Sequence, residues 1–191
     1  PGATSVYDVS SINLIQMIKQ FNNGISYSGN SLRKKTNFSI AAAFNPNVRN
    51  LERSVKRLEK KAKSGADYFI SQPLYSEAKI KEVYEATKHL DAPIYIGIMP
   101  LTSYKNARFL HNEVPGIQLT DEIIATMEKV KDDPEQAKEE SLAISKDLID
   151  VAMSYFKGIY LITPFMRYDL TVELTNYIHA KEAKKNGENL I

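Results

Sequence analysis

Short runs of apolar, strand-forming residues alternate along this chain with longer segments in which apolar positions recur every three or four residues. The first pattern predicts buried strands and the second predicts amphipathic helices, with glycine and proline marking most boundaries. The predicted strands span 38–44, 68–72, 94–98 and 158–162. The predicted helices span 10–22, 48–63, 76–89, 104–112, 120–131, 134–156 and 170–181.

The order of these elements predicts an α/β fold. Each strand is nearly continuous in apolar character, which is typical of a parallel sheet covered by helices. About four parallel strand–helix units, preceded by one helix, make half of a (β/α)₈ TIM barrel, and we interpret residues 1–191 as one partial barrel domain, its C-terminal half. A closed barrel takes about 250 residues, so a self-contained open α/β sheet of four or five strands remains the alternative.

Composition narrows the class of protein further. The chain has 43% hydrophobic and 25% charged residues, no cysteine and a net charge of +2. Within this segment, disulfides and thiolate sites are therefore excluded, and we expect a cytoplasmic location. Because it has no apolar run of about 20 residues and no block of like charges, we expect neither a membrane nor a nucleic-acid partner. The chain begins at Pro1 without methionine, which fits an internal cut.

Polar residues near the carboxyl ends of the strands are the first candidates for a binding site, since both barrels and open parallel sheets bind ligands there. Gln72 ends the second strand, and its amide can donate to and accept from a heterocycle; capping the turn before Pro73 is an equal alternative. Asn106 and Arg167 follow the next two strands. Arg167 offers a planar fork for a carboxylate or phosphate, with a solvated arginine as the alternative.

A basic helix over residues 48–63 supplies the second candidate feature. Several of its cations recur at helical spacing and would suit a pyrophosphate, although a solvated outer helix is the usual explanation of such a run. The cations are Arg49, Arg53, Lys56, Arg57, Lys60, Lys61 and Lys63.

The other residue types that were considered indicate neither a metal site nor a catalytic group. The histidines show no metal-ligand spacing, and no Gly-x-Ser-x-Gly elbow occurs, so we predict no metal site and assign no catalytic residue. Three strand tyrosines are expected in the core: Tyr68, Tyr95 and Tyr160.

Three stretches resemble a single enzyme family. They are GADYFISQPLY (65–75), PIYIGIMPLTSYKNARFLHNEVPGIQL (93–119) and GIYLITPFMRYDLTVEL (158–174). Together they resemble methylenetetrahydrofolate reductase, over essentially the whole chain and in the same order of elements. The resemblance is greatest to the bacterial form that is fused behind a homocysteine methyltransferase domain.

The resemblance implies reduction of 5,10-methylenetetrahydrofolate to 5-methyltetrahydrofolate in one-carbon and methionine metabolism. FAD would carry the hydride to the folate from NAD(P)H as co-substrate. Gln72 matches a strand-end glutamine that touches the pterin or the nicotinamide. Asn106 falls at a polar amide that contacts the substrate, and Arg167 matches an arginine near the glutamate tail of folate. Leu110 falls where some members carry an aromatic that stacks on the substrate, which is a departure from the family pattern.

The resemblance also implies contacts to FAD. Lys60 and Lys61 match a basic pair that reaches the phosphates, and Arg57 lies one turn earlier. Phe44 falls where many members have a tyrosine beside the cofactor. The turn that follows Phe44 differs in sequence from the corresponding turn of those members. Two further residues fall near an adenosine-contacting segment: Tyr7 and Asp8.

The family's general-acid glutamate and flavin-tuning aspartate belong to parts of the barrel that precede this chain. We therefore expect the chain to be inactive alone, to pair with an N-terminal half of the barrel and to form a homo-oligomer. Two alternatives stay open. One is a non-catalytic α/β segment with a structural or dimer-forming role, and the other is an unrelated barrel enzyme whose phosphate substrate Lys60 and Lys61 would hold.

Overall fold

The computed structural model describes residues 9–185 and Gly187, and these residues form seven helices and four strands. The helices are α1 (Ser11–Asn22), α2 (Leu51–Lys63), α3 (Glu77–Thr87), α4 (Tyr104–Glu113), α5 (Asp121–Lys129), α6 (Pro134–Tyr155) and α7 (Tyr168–Lys185). The strands are β1 (Ala41–Phe44), β2 (Tyr68–Pro73), β3 (Ile94–Ile98) and β4 (Gly158–Leu161).

The strands form one parallel sheet in the order β1-β2-β3-β4. Each strand pairs with the next one in sequence after a helical crossover, as in successive units of a (β/α)₈ barrel. The structure therefore confirms the predicted α/β fold and is consistent with part of such a barrel.

Local sequence signals set the start of most helices. The helices α1 to α6 each follow a side chain that accepts a hydrogen bond from a backbone N–H of the first turn, which satisfies a donor that the helix cannot. These capping residues are Ser10, Asn50, Ser76, Ser103, Thr120 and Asp133. Gly65, with φ of +111°, follows the last turn of α2 and allows the chain to turn toward β2.

One face of the sheet packs against helices. Helices α2 and α6 contact the strands, α3 lies between them, and α7 packs on α6. Alternate strand residues such as Phe69, Ile96 and Ile98 are fully buried in this layer. Each such side chain contributes about 1.5–3 kcal/mol through removal of apolar surface from water, so this layer is the main core.

The opposite face of the sheet stays in contact with solvent, and we call it the open face. The prediction of a sheet covered by helices is therefore correct for only one side. Side chains on the open face alternate with the buried ones along each strand. They are Ala41, Ala43, Tyr68, Ile70, Gln72, Tyr95 and Tyr160.

The first strand is shorter than the predicted span 38–44, because an asparagine competes for its backbone. Asn22 Nδ2 donates to Phe38 O, and Asn22 Oδ1 accepts from Phe38 N–H. Ile40 N–H donates to Asp67 Oδ2, so ladder pairing with β2 is established only from Ala41 onward. Within residues 9–185 and Gly187, no helix is long and apolar enough to cross a membrane.

Candidate functional site

Gln72 lies on the open face near the carboxyl end of β2, where a parallel sheet binds its ligands. Its side chain is exposed and makes no hydrogen bond to any other described residue. The carbonyls around it are fixed, since Ser71 Oγ donates to Gln72 O at 2.8 Å and Asn47 Nδ2 donates to Pro73 O at 3.0 Å. The backbone is thus held while the amide stays available, and the alternative that this amide caps the turn is wrong.

Three tyrosines lie on the open face, two of them toward the amino ends of the strands. Tyr68 and Tyr95 pack edge to face, with ring centroids 5.5 Å apart, and Tyr160 is exposed on β4. Gly158 leaves room for the Tyr95 ring, because a Cβ there would lie 2.4 Å from two of the ring carbons. The expectation that these three tyrosines belong to the core is wrong, and they lie instead on the open face.

The two predicted substrate residues of α4 have different environments. Asn106 lies in the first turn, where its Oδ1 accepts from Thr102 N–H at 3.1 Å and its own N–H donates to Ser103 Oγ. Its amide oxygen therefore stabilises the start of the helix, and the NH₂ group is the part that remains for a ligand. Leu110 is 7% exposed and packs in the core, while its neighbour Phe109 is exposed.

Arg167 follows β4 and is paired with an acid. Its Nε and Nη2 donate to the two carboxylate oxygens of Asp169, each at 2.9 Å. This hydrogen-bonded guanidinium is the main reason that the pKa of Asp169 falls to about 2. Asp169 also lies 3.6 Å from Lys138 Nζ. The Arg167 guanidinium is therefore already hydrogen-bonded, and an external carboxylate would compete with Asp169 for it.

The basic residues of α2 meet the free edge of the sheet. Ile40 O accepts from β2, so by strand alternation Ala43 directs its carbonyl to the opposite, free edge. Lys61 Nζ donates to that carbonyl at 2.7 Å. Burial, and then the positive charge of Arg57, lower the pKa of Lys61. Arg57 and Lys60 are exposed on the same helix, and Arg57 is close enough for its charge to act on Lys61.

The remaining predicted cofactor residues do not join this group. Phe44 is 2% exposed and points into the helix-covered core. A direct contact of its side chain with a ligand on the open face would require it to leave that core. Tyr7 and Asp8 lie outside the described residues.

Sequence reasoning missed the residues that shape this end of the sheet. Asn47 Nδ2 donates to both Pro73 O and Gly116 O, at 3.0 and 2.9 Å, and thereby joins the segment after β1 to the end of β2 and to the segment after α4. Ser71 is buried between Gln72 and β3. A polar residue at a helix-facing position of an apolar strand was the available signal for Ser71, whereas Asn47 gives none because its partners are distant in sequence.

A cleft of about 440 Å³ lies apart from the open face, between α3, α5 and α6. Four carboxylates line it, those of Glu77, Glu122, Glu140 and Asp147, and its lining includes no lysine or arginine. Repulsion would disfavour a phosphate there. An anion is better accommodated by the cations of α2.

A search of curated proteins finds no match to this chain. Among solved structures, the fold is similar to that of an uncharacterized protein from Clostridium thermocellum described as binding two copies of 5-methyl-5,6,7,8-tetrahydrofolic acid. The TM-score is 0.51 at 19% sequence identity, and the match covers 72% of this chain and 51% of the other. The chain thus spans about half the length of that neighbour.

The family comparison covers most of the sequence. Residues 6–172 match the family model described as methylenetetrahydrofolate reductase. This range includes all four strands and each of the candidate binding residues. The chain belongs to the methylenetetrahydrofolate reductase family.

Proposed function

We propose that this chain supplies part of the folate and flavin sites of an enzyme that reduces 5,10-methylenetetrahydrofolate to 5-methyltetrahydrofolate with NAD(P)H. The observation that carries the proposal is the free amide of Gln72 at the carboxyl end of a parallel sheet in a chain of this family. The Clostridium thermocellum neighbour, described as binding a methylated tetrahydrofolate, supports folate as the ligand class.

Gln72 is the residue that would form hydrogen bonds with the pterin. A glutamine amide has two donors and an accepting oxygen, which suits the alternating donors and acceptors of a pterin edge. Among the tyrosines of the open face, Tyr160 on β4 is level with Gly97 and Pro73 and offers apolar area for a planar ring. A fixed backbone around Gln72 would limit the ligand to one orientation, which is what hydride transfer requires.

The cations of α2 fit the phosphates of FAD. A flavin, when bound, supplies the hydride-carrying chemistry that the side chains lack. Lys61 now donates to a neutral carbonyl, and exchanging that acceptor for a phosphate would give a stronger, charge-assisted hydrogen bond. Burial and then the charge of Arg57 lower the pKa of Lys61, and an anion between these two cations would relieve their repulsion.

Arg167 would hold the acidic tail of the folate. Its guanidinium lies beyond the end of β4 and is half-buried against Asp169. Asp169 keeps the fork in one orientation and competes with the tail for it. We propose that the tail uses the Nη1 group, which makes no hydrogen bond to any of the residues described.

We also propose that the complete enzyme is a cytoplasmic homo-oligomer in which an N-terminal half of the barrel completes the active site. The absence of cysteine agrees with a reducing compartment. The open face of the sheet provides an apolar surface for that second half. A homocysteine methyltransferase domain fused ahead of the barrel is part of the same proposal.

A visible absorption spectrum of the full-length gene product tests the function directly. We expect a flavin band that bleaches when NADH is added without oxygen and returns on addition of 5,10-methylenetetrahydrofolate. Replacing Lys60 and Lys61 by methionine should weaken FAD binding, whereas Arg49→Met, just before the same helix, serves as the matched control. A colourless protein that also ignores added FAD would refute the proposal.

A structural role has one observation in its favour, the open face itself. A segment that only builds an oligomer would use the tyrosines of that face for packing and would leave Gln72 without a ligand. In that case Gln72→Ala would not alter folate binding, while substitutions of Tyr68 or Tyr160 by serine would change the oligomeric state measured by light scattering.

A further inference from the structure

Strand β2 carries one extra residue opposite β3, just where Gln72 lies. Ile70 pairs with Tyr95 and Pro73 pairs with Gly97, so three steps along β2 match two steps along β3. Such a bulge interrupts the backbone ladder and redirects a side chain. Gln72 is inside this bulge, and its orientation therefore depends on whatever replaces the missing ladder bonds.

The hydroxyl of Ser71 makes the hydrogen bonds that replace the missing ladder bonds. Gly97 N–H donates to Ser71 Oγ at 2.8 Å, and Ser71 Oγ donates to Gln72 O, also at 2.8 Å. Ser71 is 3% exposed, so water has little access to compete for either bond. One buried hydroxyl thus links the bulge to β3 and at the same time fixes the carbonyl of Gln72.

Two further residues complete this arrangement. A Cβ on Gly97 would lie 2.7 Å from Ser71 O and 3.2 Å from Gln72 O, so the close approach of the bulge to β3 requires glycine. Asn47 holds the next carbonyl in the chain, that of Pro73, from the other side. The backbone from Ser71 to Pro73 is therefore held by the side chains of Ser71 and Asn47.

We infer that Ser71 is a positioning residue for the folate site, acting through Gln72, with Gly97 and Asn47 as its structural partners. The inference rests on the proposed function for the identity of the ligand. Ser71 itself would not touch the ligand, because its hydroxyl is buried and engaged with Gly97 and Gln72. Its role is to keep the amide of Gln72 directed at the open face.

A double-mutant cycle separates this role from a general structural one. The binding of 5-methyltetrahydrofolate to the full-length protein is measured by calorimetry for Ser71→Ala, Gln72→Ala and the double variant. If Ser71 acts through Gln72, Ser71→Ala weakens binding about tenfold in the parent and has little effect once Gln72 is alanine. Equal losses in both backgrounds, or no loss in either, would overturn the inference.

Matched variants guard against simple unfolding. Ser71→Thr keeps the hydroxyl and should restore most of the affinity. Ser145→Ala removes a buried hydroxyl that donates to Ser141 O on α6 and should leave folate binding unchanged. Should Ser71→Ala not fold, Asn47→Ala loosens the same bulge from the Pro73 side and is expected to give the same dependence on Gln72.

A probe that needs no ligand decides the inference even if the folate proposal fails. Residues 1–191 contain no cysteine, so Gln72→Cys accepts a single nitroxide label in a full-length protein whose cysteines elsewhere are replaced by serine. We expect a restricted electron paramagnetic resonance spectrum that becomes mobile when Ser71 is replaced by alanine. An unchanged spectrum would refute the positioning role. A protein that binds no folate would instead refute the proposed function and leave the label result to stand.

Discussion

The hydroxyl of Tyr75 links the ends of β2 and β3, and Tyr75→Phe removes this link while keeping the ring. Tyr75 is 2% exposed, and its Oη donates to Met99 O at 2.7 Å. The substitution deletes a hydrogen bond and leaves the Met99 carbonyl without that donor, which costs about 1–2 kcal/mol. For a chain of this size, the melting temperature should fall by about 3–6 °C.

The same residue predicts a dependence of stability on pH. Burial raises the pKa of Tyr75 above the ordinary value of 10.0. Above pH 10 the unfolded chain therefore releases this proton while the folded protein retains it, so the unfolded state binds fewer protons and stability falls with rising pH. The contribution of Tyr75 is fully present below pH 10 and is lost at a rate of up to about 1.4 kcal/mol per pH unit above it.

Urea unfolding followed by circular dichroism measures both effects. The difference in free energy of unfolding between the parent protein and Tyr75→Phe should be constant near neutral pH and should shrink as the pH rises above 10. Tyr27→Phe is the matched control, because Tyr27 is 66% exposed. A melting temperature within about 1 °C of the parent's would refute the stability argument, and a difference that stayed constant above pH 10 would refute the titration argument.

Three further predictions concern stability and charge. Ser141 Oγ is buried without a hydrogen-bond partner among the described residues, so Ser141→Ala should raise the free energy of unfolding by up to about 1 kcal/mol; a lower melting temperature would contradict this. Gly116→Ala should cost about 1–2 kcal/mol, because φ is +84° and a Cβ would lie 2.4 Å from Asn45 Nδ2; an unchanged urea midpoint would contradict this. The Asp169 carboxyl should titrate near a pKa of about 2, so its pairing with Arg167 persists at neutral pH and is lost as the pH falls toward that value. In Arg167→Gln, carbon-detected NMR should find that pKa close to the ordinary aspartate value, and a pKa still near 2 would show that another group holds it down.

The fold was largely predictable because its signals are local. Every predicted helix and strand is present, and most bounds agree within a few residues. Capping side chains and the glycines after α1 and α2 are readable without knowledge of the tertiary structure. The start of β1 could not be predicted in this way, because Asn22 is distant in sequence from the Phe38 backbone that it binds.

The site was predictable only in part. Whether a side chain can bind a ligand depends on the direction in which it points and on the hydrogen bonds that it already makes, and the sequence shows neither. Gln72 could be identified from its place at a strand end, and it is indeed exposed. Phe44 and Leu110 occupy equally suggestive places in the sequence but point into the core. The bulge that shapes the Gln72 segment depends on a hydroxyl, a glycine and an asparagine from three separate segments, and no single stretch of sequence displays it.

The order β1-β2-β3-β4 has a consequence for how the chain acquires its structure. Each of β2, β3 and β4 pairs with the strand that precedes it in the sequence, so each finds a partner that has already been synthesised. Contacts of short sequence separation lower the loop-closure entropy of each step and favour fast folding. Strand–helix units added one after another on the ribosome could therefore dock in the order of translation, each using the free edge left by the one before.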